Sequence, residues 1–502
     1  MSITGPGSIT AANVLAQTNM MNQLNTLGQE LASGQAAQTY SGLQSQAGVA
    51  LALNAQLSAL TGYSGTASTV GTTLSVAQSV LTQLGTASSS MMQAINQQET
   101  FQLNGNGQTT TQATAAAQLD NILSLLNTQV GSSYIFSGSG PNQQSVASVA
   151  DILNGNGAQA GLTQMITERQ QADLGASGLG HVSATVGGVG SSTVTLSQDG
   201  TPFGFQLTGV NSSLTGATVT GPSGSPTSIS VDLGSNPNPG DAIQFQLTLP
   251  DGSTQTISLQ ATTSSPPGVN QFTIGTAPAN TATNLQTALT AAVTGLTQTA
   301  LPAASAMAAA NNFFSDPPQR VNGSPPDTST ALVNGTSANT VFWYTGENGS
   351  TPARQTATAQ VGPSITIDYG MRANEQALTT LVENVAVLAA ATYSPTDPNA
   401  QTNYHSLSQK VAANLNGQPG TQQISDIEAD LANAQTTVTN AATLNTQTQT
   451  TLQDMLQNID GVNQNQIGED ILTLQNSLSA SMSVTARLAQ LSLVNYLSPV
   501  NG

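Results

Sequence analysis

The sequence has no cysteine, only two histidines and a single tryptophan. Without cysteine there is no disulfide framework and no thiolate chemistry. That composition suits a protein outside the cell which does not depend on oxidative folding. Positive charge is nearly as scarce. Six Lys and Arg stand against 24 Asp and Glu, giving a net charge of −18, and the first basic residue is Arg169. A phosphate backbone needs neutralising cations, so no nucleic-acid partner is expected. Anionic membranes are disfavoured for the same reason. No apolar run approaches the roughly 18 residues that read as a membrane span, so no membrane insertion is expected. The opening "MSITGPGSITAANVLAQTNM" has neither the basic n-region nor the apolar h-region of a signal peptide. Passage out of the cell is therefore expected to use a route that reads no cleavable signal.

Charged residues make up 6% of the 502 positions, where an ordinary domain has about 25%. Ser, Thr, Asn and Gln fill the gap, so recognition is expected to rest on apolar stripes and amide hydrogen bonds. The length allows roughly two to four domains. The stripes lie in two arms. In the first, Met20, Leu24, Leu27 and Leu31 follow steps of four, three and four until Gly34 and Gly42 interrupt them. Leu60, Tyr63, Ala67, Val70, Leu74, Ala77, Leu81, Leu84, Met91 and Ile95 then occupy heptad positions, with Ser88 as the single break, which reads as a coiled-coil-like seam. Leu119, Ile122, Leu126 and Val130 predict a shorter helix folding back on it.

The second arm mirrors the first. Ile424, Ile427, Leu431, Ala434, Val438 and Ala441 keep strict three–four spacing, Asn445 and Thr448 are polar, and the register returns at Leu452, Met455, Ile459 and Val462. Five residues separate Val462 from Ile467, a slip, before Ile471, Leu474 and Leu478. A last stripe runs through Met482, Ala486, Ala489, Leu493 and Tyr496. The e and g positions lack Glu/Lys pairs, which favours packing in a bundle or an assembly over an isolated dimeric coiled coil. The core of one globular domain would show similar stripes.

Between about 180 and 370 the period changes to two. Val194/Leu196 and Phe203/Phe205/Leu207 flank Asp199-Gly200, and Ile243/Phe245/Leu247/Leu249 and Ile257/Leu259 flank Asp251-Gly252. Each pair predicts a hairpin. Leu285, Leu289, Val293 and Leu296 predict a short helix after them.

Chemistry finds little to stand on. His181 in "GLGHVS" reads as a loop residue and His405 in "NYHSLSQK" as a helix cap or flank, and neither has metal-ligand spacing to a partner. Gly187, Gly188 and Gly190 lack the Lys that a phosphate loop needs. Glu469 and Asp470 are adjacent on a helix and so diverge. Asn-x-Ser/Thr triplets at Asn211, Asn322, Asn334 and Asn348 are what the composition predicts. The expectation is no catalytic residue, no metal, no cofactor and no enzyme.

Four stretches resemble the flagellin superfamily. "LNTLGQELASGQAAQTYSGL" is similar to its N-terminal helix, Ser-Gly element and following long helix. "LLNTQVGSSYIFSGSG" (125–140) is similar to the Tyr-hydrophobic-Phe-Ser-Gly element that ends the first helical hairpin. "TIDYGMRANEQALTTLVENVAVLA" is similar to the return into the C-terminal arm, and "ARLAQLSLVNYL" to the ending of the branch that joins hook to filament. Together they cover roughly 15–140 and 365–497. The resemblance implies an α+β fold, a long coaxial, antiparallel helical bundle from both termini with an inserted β-rich outer domain. It divides the chain into a terminal assembly domain (1–45 and 463–502), a bundle (46–175 and 370–462) and the insert (176–369).

In that superfamily both termini are unfolded in solution and pair only as subunits assemble around a channel. The implied role is a self-assembling, extracellular subunit of the bacterial flagellum, sent out by type III export. It would form the hook–filament junction, or alternatively the filament as a flagellin. A secreted adhesin with a coiled-coil stalk is the third reading. Implied partners are further copies of itself, the hook, hook-associated proteins, flagellin and an export chaperone. The expected assembly stripe is Met20, Leu24, Leu27, Leu31, Leu474, Leu478, Met482, Ala489, Leu493 and Tyr496. Family arms commonly carry an Arg before the Ser-Gly element. Glu30-Leu31-Ala32-Ser33-Gly34 has none, so amide and apolar contacts are expected to carry assembly.

Overall fold

The computed structural model describes residues 6–37, 39–97 and 100–496, and it mixes helix and sheet. Along the chain run α1 (Pro6–Ser33), α2 (Ala47–Asn96), α3 (Thr110–Leu126), β1 (Gln129–Val130), β2 (Ser133–Tyr134), α4 (Val149–Asn154) and α5 (Leu162–Leu174). Then follow β3 (Val182–Val186), β4 (Thr193–Gln198), β5 (Gln206–Ser212), β6 (Ala217–Ser223), β7 (Ser228–Leu233), β8 (Ala242–Thr248), β9 (Thr254–Thr262) and β10 (Gln271–Thr273). After α6 (Pro278–Thr299) and α7 (Leu301–Phe314) come β11 (Gln319–Val321), β12 (Leu332–Asn334), β13 (Thr358–Gly362) and β14 (Ile365–Asp368). The chain closes with α8 (Gln376–Ala390), α9 (Ala400–Leu415), α10 (Ile424–Asp460) and α11 (Gln464–Tyr496). The segment 176–369 thus holds β3 to β14, and also two helices, α6 and α7.

Two compact units result: Met1–Gly71, Ala359–Ile367 and Thr436–Gly502 form one, Thr72–Thr358 and Asp368–Gln435 the other. The long helices α2 and α10 each contribute to both. In the first unit, Leu53, Leu60, Ala67 and Val70 of α2 and Val438 and Ala441 of α10 are buried. The polar break in the α10 stripe has a purpose there. Asn445 is buried and its Nδ2 donates to the Val361 carbonyl of the β13–β14 hairpin at 2.8 Å.

In the second unit the heptad stripe of α2 is buried from Leu74 through Met91, and Ala87 takes the place that Ser88 leaves. Helices α7 and α8 are apolar on nearly every side, as helices inside a core must be. Six alanines on α7 keep its surface thin enough for α5, α8 and α9 to pack around it. Helix α3 has a capping box from Thr109 and Gln112. The Gln112 side chain also donates to the Leu388 and Ala391 carbonyls, and Gln108 donates to Ala389. These bonds satisfy carbonyls that the end of α8 leaves open. Val130, expected to extend the α3 helix, lies in β1.

Two four-stranded sheets, β3-β4-β7-β6 and β10-β9-β8-β5, share one core with α6. The expected turn at Asp251-Gly252 joins β8 to β9 as a hairpin. The one expected at Asp199-Gly200 does not: β4 pairs with β3 and β7, whereas β5 pairs with β8 in the other sheet. Phe203, Gly204 and Phe205 are buried consecutively instead of alternating. Their backbone amides bond to the Asp173 carboxylate (from Gly204, 3.0 Å) and to the Gly180 carbonyl (from Phe205, 2.9 Å). That anchorage at the end of α5 carries the chain from one sheet to the other.

The two middle stretches that carry the resemblance come together. Ala373 N donates to Phe136 O at 2.8 Å and Gly138 N to Met371 O at 3.0 Å, with Phe136 fully buried. Gly138 adopts φ 67°, and a Cβ there would press on Glu347 and Arg372, so the tight crossing requires glycine.

Candidate assembly interface

Helix α1 pairs with α11 although they lie at opposite ends of the sequence. The half-buried positions of α1 are Asn13, Gln17, Met20, Leu24, Leu27 and Glu30. On α11, Ile467 is buried and Ile471, Leu474, Leu478, Ser481 and Thr485 are half-buried. Both sets follow steps of four and three, alternating throughout on α11 and as far as Leu27 on α1, the spacing that keeps one stripe facing a neighbouring helix. Gln17 Nε2 donates across the seam to Thr485 Oγ1 at 3.0 Å and to Ser481 Oγ at 3.4 Å.

Of the expected stripe, Met20, Leu24, Leu27, Leu474 and Leu478 occupy this seam. Leu31 and Met482 do not, at 38% and 55% exposed. Regular heptad spacing continues from Leu478 to Ser481 and Thr485, so the seam keeps its geometry and accepts polar residues that Gln17 can bond. Met482 and Ala486 sit one position off it. Leu31 lies in the last turn of α1, where side-chain pairing gives way to backbone bonds. Ala489, Leu493 and Tyr496 fall within the helix, but their side chains lie outside the described residues. Asn13, Gln17, Ser481 and Thr485 were missed because an apolar search ignores polar residues at heptad positions.

The Ser33-Gly34 element is where α1 stops. Gly34 takes φ 67°, its N–H returning to the Glu30 carbonyl at 2.8 Å, a left-handed helix ending suited to glycine. Ala36 N then donates to Asp460 O at 2.7 Å and Val462 N to Gly34 O at 3.3 Å. This clasp falls at a helix break: α10 ends at Asp460, so Val462 lies beyond it, and α11 starts at Gln464, with the Oδ1 of the preceding Asn463 accepting from Gln466 N at 3.3 Å.

The pairing covers one side of each helix only. No described side chain of α1 is fully buried. Val14, Leu15 and Met21 on α1, and Leu472, Met482 and Val484 on α11, remain exposed, Leu15 at 64% and Leu472 at 62%.

Several polar groups outside this helix pair are held by hydrogen bonds and ion pairs. His181 precedes β3, its Nδ1 against the Asp199 carboxylate and its Nε2 2.6 Å from the Ala172 carbonyl. Burial works to raise Asp199, but hydrogen bonds from His181 and Thr201 outweigh it and hold the carboxyl below its ordinary range. Burial pushes Asp173 up despite the Arg169 guanidinium 2.8 Å away. His405 neither caps nor flanks a helix; it is exposed in the second turn of α9, its ring 5.5 Å from that of Tyr404. Gly187, Gly188 and Gly190 form the connection between β3 and β4. Glu469 and Asp470 are exposed on α11. Among the described residues no three His, Asp or Glu side chains cluster as metal ligands. No helix among them is long and apolar enough to cross a membrane. No family model matches the sequence, and no curated protein matches it either.

Proposed function

We propose that the chain is an axial structural subunit of the bacterial flagellum, forming the hook–filament junction by self-assembly through α1 and α11. The observation that carries this reading is the half-covered helix pair. Two helices from distant parts of the sequence meet along one narrow seam and leave further large apolar side chains bare. Covering these side chains with further copies would gain about 1.5–3 kcal/mol for each one buried, repeated in every subunit. The resemblance of four stretches to the flagellin superfamily supplies the identity of the assembly. The fold in this reading is a helical bundle from both ends with the β-rich segment carried outside it. Hook, hook-associated proteins and flagellin are its neighbours, and a chaperone accompanies it to type III export.

Deleting the gene tests the reading. The expected strain builds hooks without filaments and releases flagellin into the medium. A hook tipped by a working filament overturns the junction role. Missing filaments with no flagellin released would make the chain the flagellin itself.

A further inference from the structure

Glu383 on α8 is a carboxylate without a counter-ion. Arg169, Arg320, Arg354, Arg372 and Lys410 each pair with another carboxylate. Burial alone pushes Glu383 up to about 7. Three cavities, of about 380, 390 and 570 Å³, share Glu383 and Asn311 in their walls. Volumes of 300–1,000 Å³ are those of small-molecule sites. The first is walled by Phe314, Phe342, Trp343 and Tyr344, the second by the amides of Asn384, Asn414 and Gln418.

The charge around the recess that has no ion-pair partner is negative. Tyr344 and Asp316 face the first cavity, and Glu383 is the only acid or base on the second. On the third, Arg169, Asp251 and Lys410 also appear, Arg169 bound to Asp173 and Lys410 to Asp251 at 2.5 Å. The cations present are thus already neutralised. A carboxylate with no partner cation, sharing a cavity with aromatic residues, is the chemistry that recognises an organic ammonium group, through charge and apolar contact.

We propose that the recess at Glu383 binds a small organic ammonium ion, its charge on the Glu383 carboxylate and its carbon chain against the aromatic wall. This goes beyond the assembly role and does not depend on it. The side-chain amides accept the remaining N–H bonds. Because pairing requires the ionised carboxylate, binding expels a proton from Glu383.

The probe is butylammonium, titrated into the full-length protein and followed by saturation-transfer NMR, with 1-butanol as the neutral isostere. Glu383→Gln keeps the shape and removes the charge, and its thermal unfolding is checked alongside. The expected result is binding of butylammonium but not butanol, about tenfold tighter at pH 8 than at pH 6, where the carboxylate is mostly protonated. Loss of both the binding and its pH dependence in a folded Glu383→Gln completes the expectation. Equal binding of butanol, equal binding by Glu383→Gln, or no binding at pH 8 overturns the proposal.

Discussion

A half-buried carboxylate with no partner cation is costly to ionise, and desolvation pushes Glu383 up to about 7. An unfolded chain would release the carboxyl proton near 4.5. Between the two values the folded state therefore binds more protons. The stability this contributes is full below about pH 4.5 and is lost as pH rises through 7, roughly 3 kcal/mol in all. Glu383→Gln is expected to match the wild type at pH 4 and to exceed it at pH 8 in chemical denaturation. Parallel pH profiles would refute the assignment. Asn445 makes a second residue-scale case. Replacing it by Leu perfects the apolar repeat of α10 but leaves the buried Val361 carbonyl without its donor. Asn445→Leu should cost about 1–3 kcal/mol, read from the denaturant midpoint. A gain in stability would mean that the repeat outweighs the bond.

At the scale of elements, α1 and α11 each have one row that pairs within the chain and exposed apolar side chains outside it. Leu474 lies in the seam and Leu472 outside it, two residues apart. Leu474→Asp should loosen the helix pair, speeding amide hydrogen exchange in α1. Leu472→Asp should leave that exchange unchanged while preventing polymerisation, because the charge falls on an exposed apolar position that only other copies would cover. Normal assembly of Leu472→Asp would show that the exposed position is not in an interface. The clasp is a further element-scale device. Gly34→Ala forces a Cβ into a left-handed conformation at roughly 1–2 kcal/mol, and α1 exchange should report it.

For the whole molecule, net charge and core connectivity decide behaviour. At −18, copies repel one another, so assembly through exposed apolar side chains should accelerate as salt screens the charge. Light scattering at low and moderate ionic strength checks this. A cut from 190 to 360 would appear to remove an independent β-rich insert, yet it also removes α7, whose side chains fill the space among α5, α8 and α9. Such a deletion is expected to lose cooperative unfolding altogether. A well-folded deletion product would mean that the helical core closes without α7.

The sequence alone determined the long helices and their stops. A three–four repeat records which face of a helix is covered, and that information is local. The buried run from Leu74 to Met91 and the Gly34 ending could therefore be read from spacing, whereas the slip expected after Val462 is a helix break that begins two residues earlier. The β8–β9 hairpin was legible for the same reason, since its turn and both alternating strands lie within about twenty residues. Tertiary structure decided what distant partners impose. Asp199-Gly200 is as good a turn as Asp251-Gly252, but Asp173 and Gly180 capture the backbone beyond it and send β5 to the other sheet. Ser481 and Thr485 are polar and gave no apolar signal; Gln17, more than 460 positions away, makes them part of a seam. Glu383 is the one charged residue of α8, and nothing in the sequence marks its setting. Only the fold sets it in the wall of cavities shared with α7, α9 and the aromatic segment, with no cation paired to it, because desolvation depends on what surrounds a group and not on its neighbours in the chain.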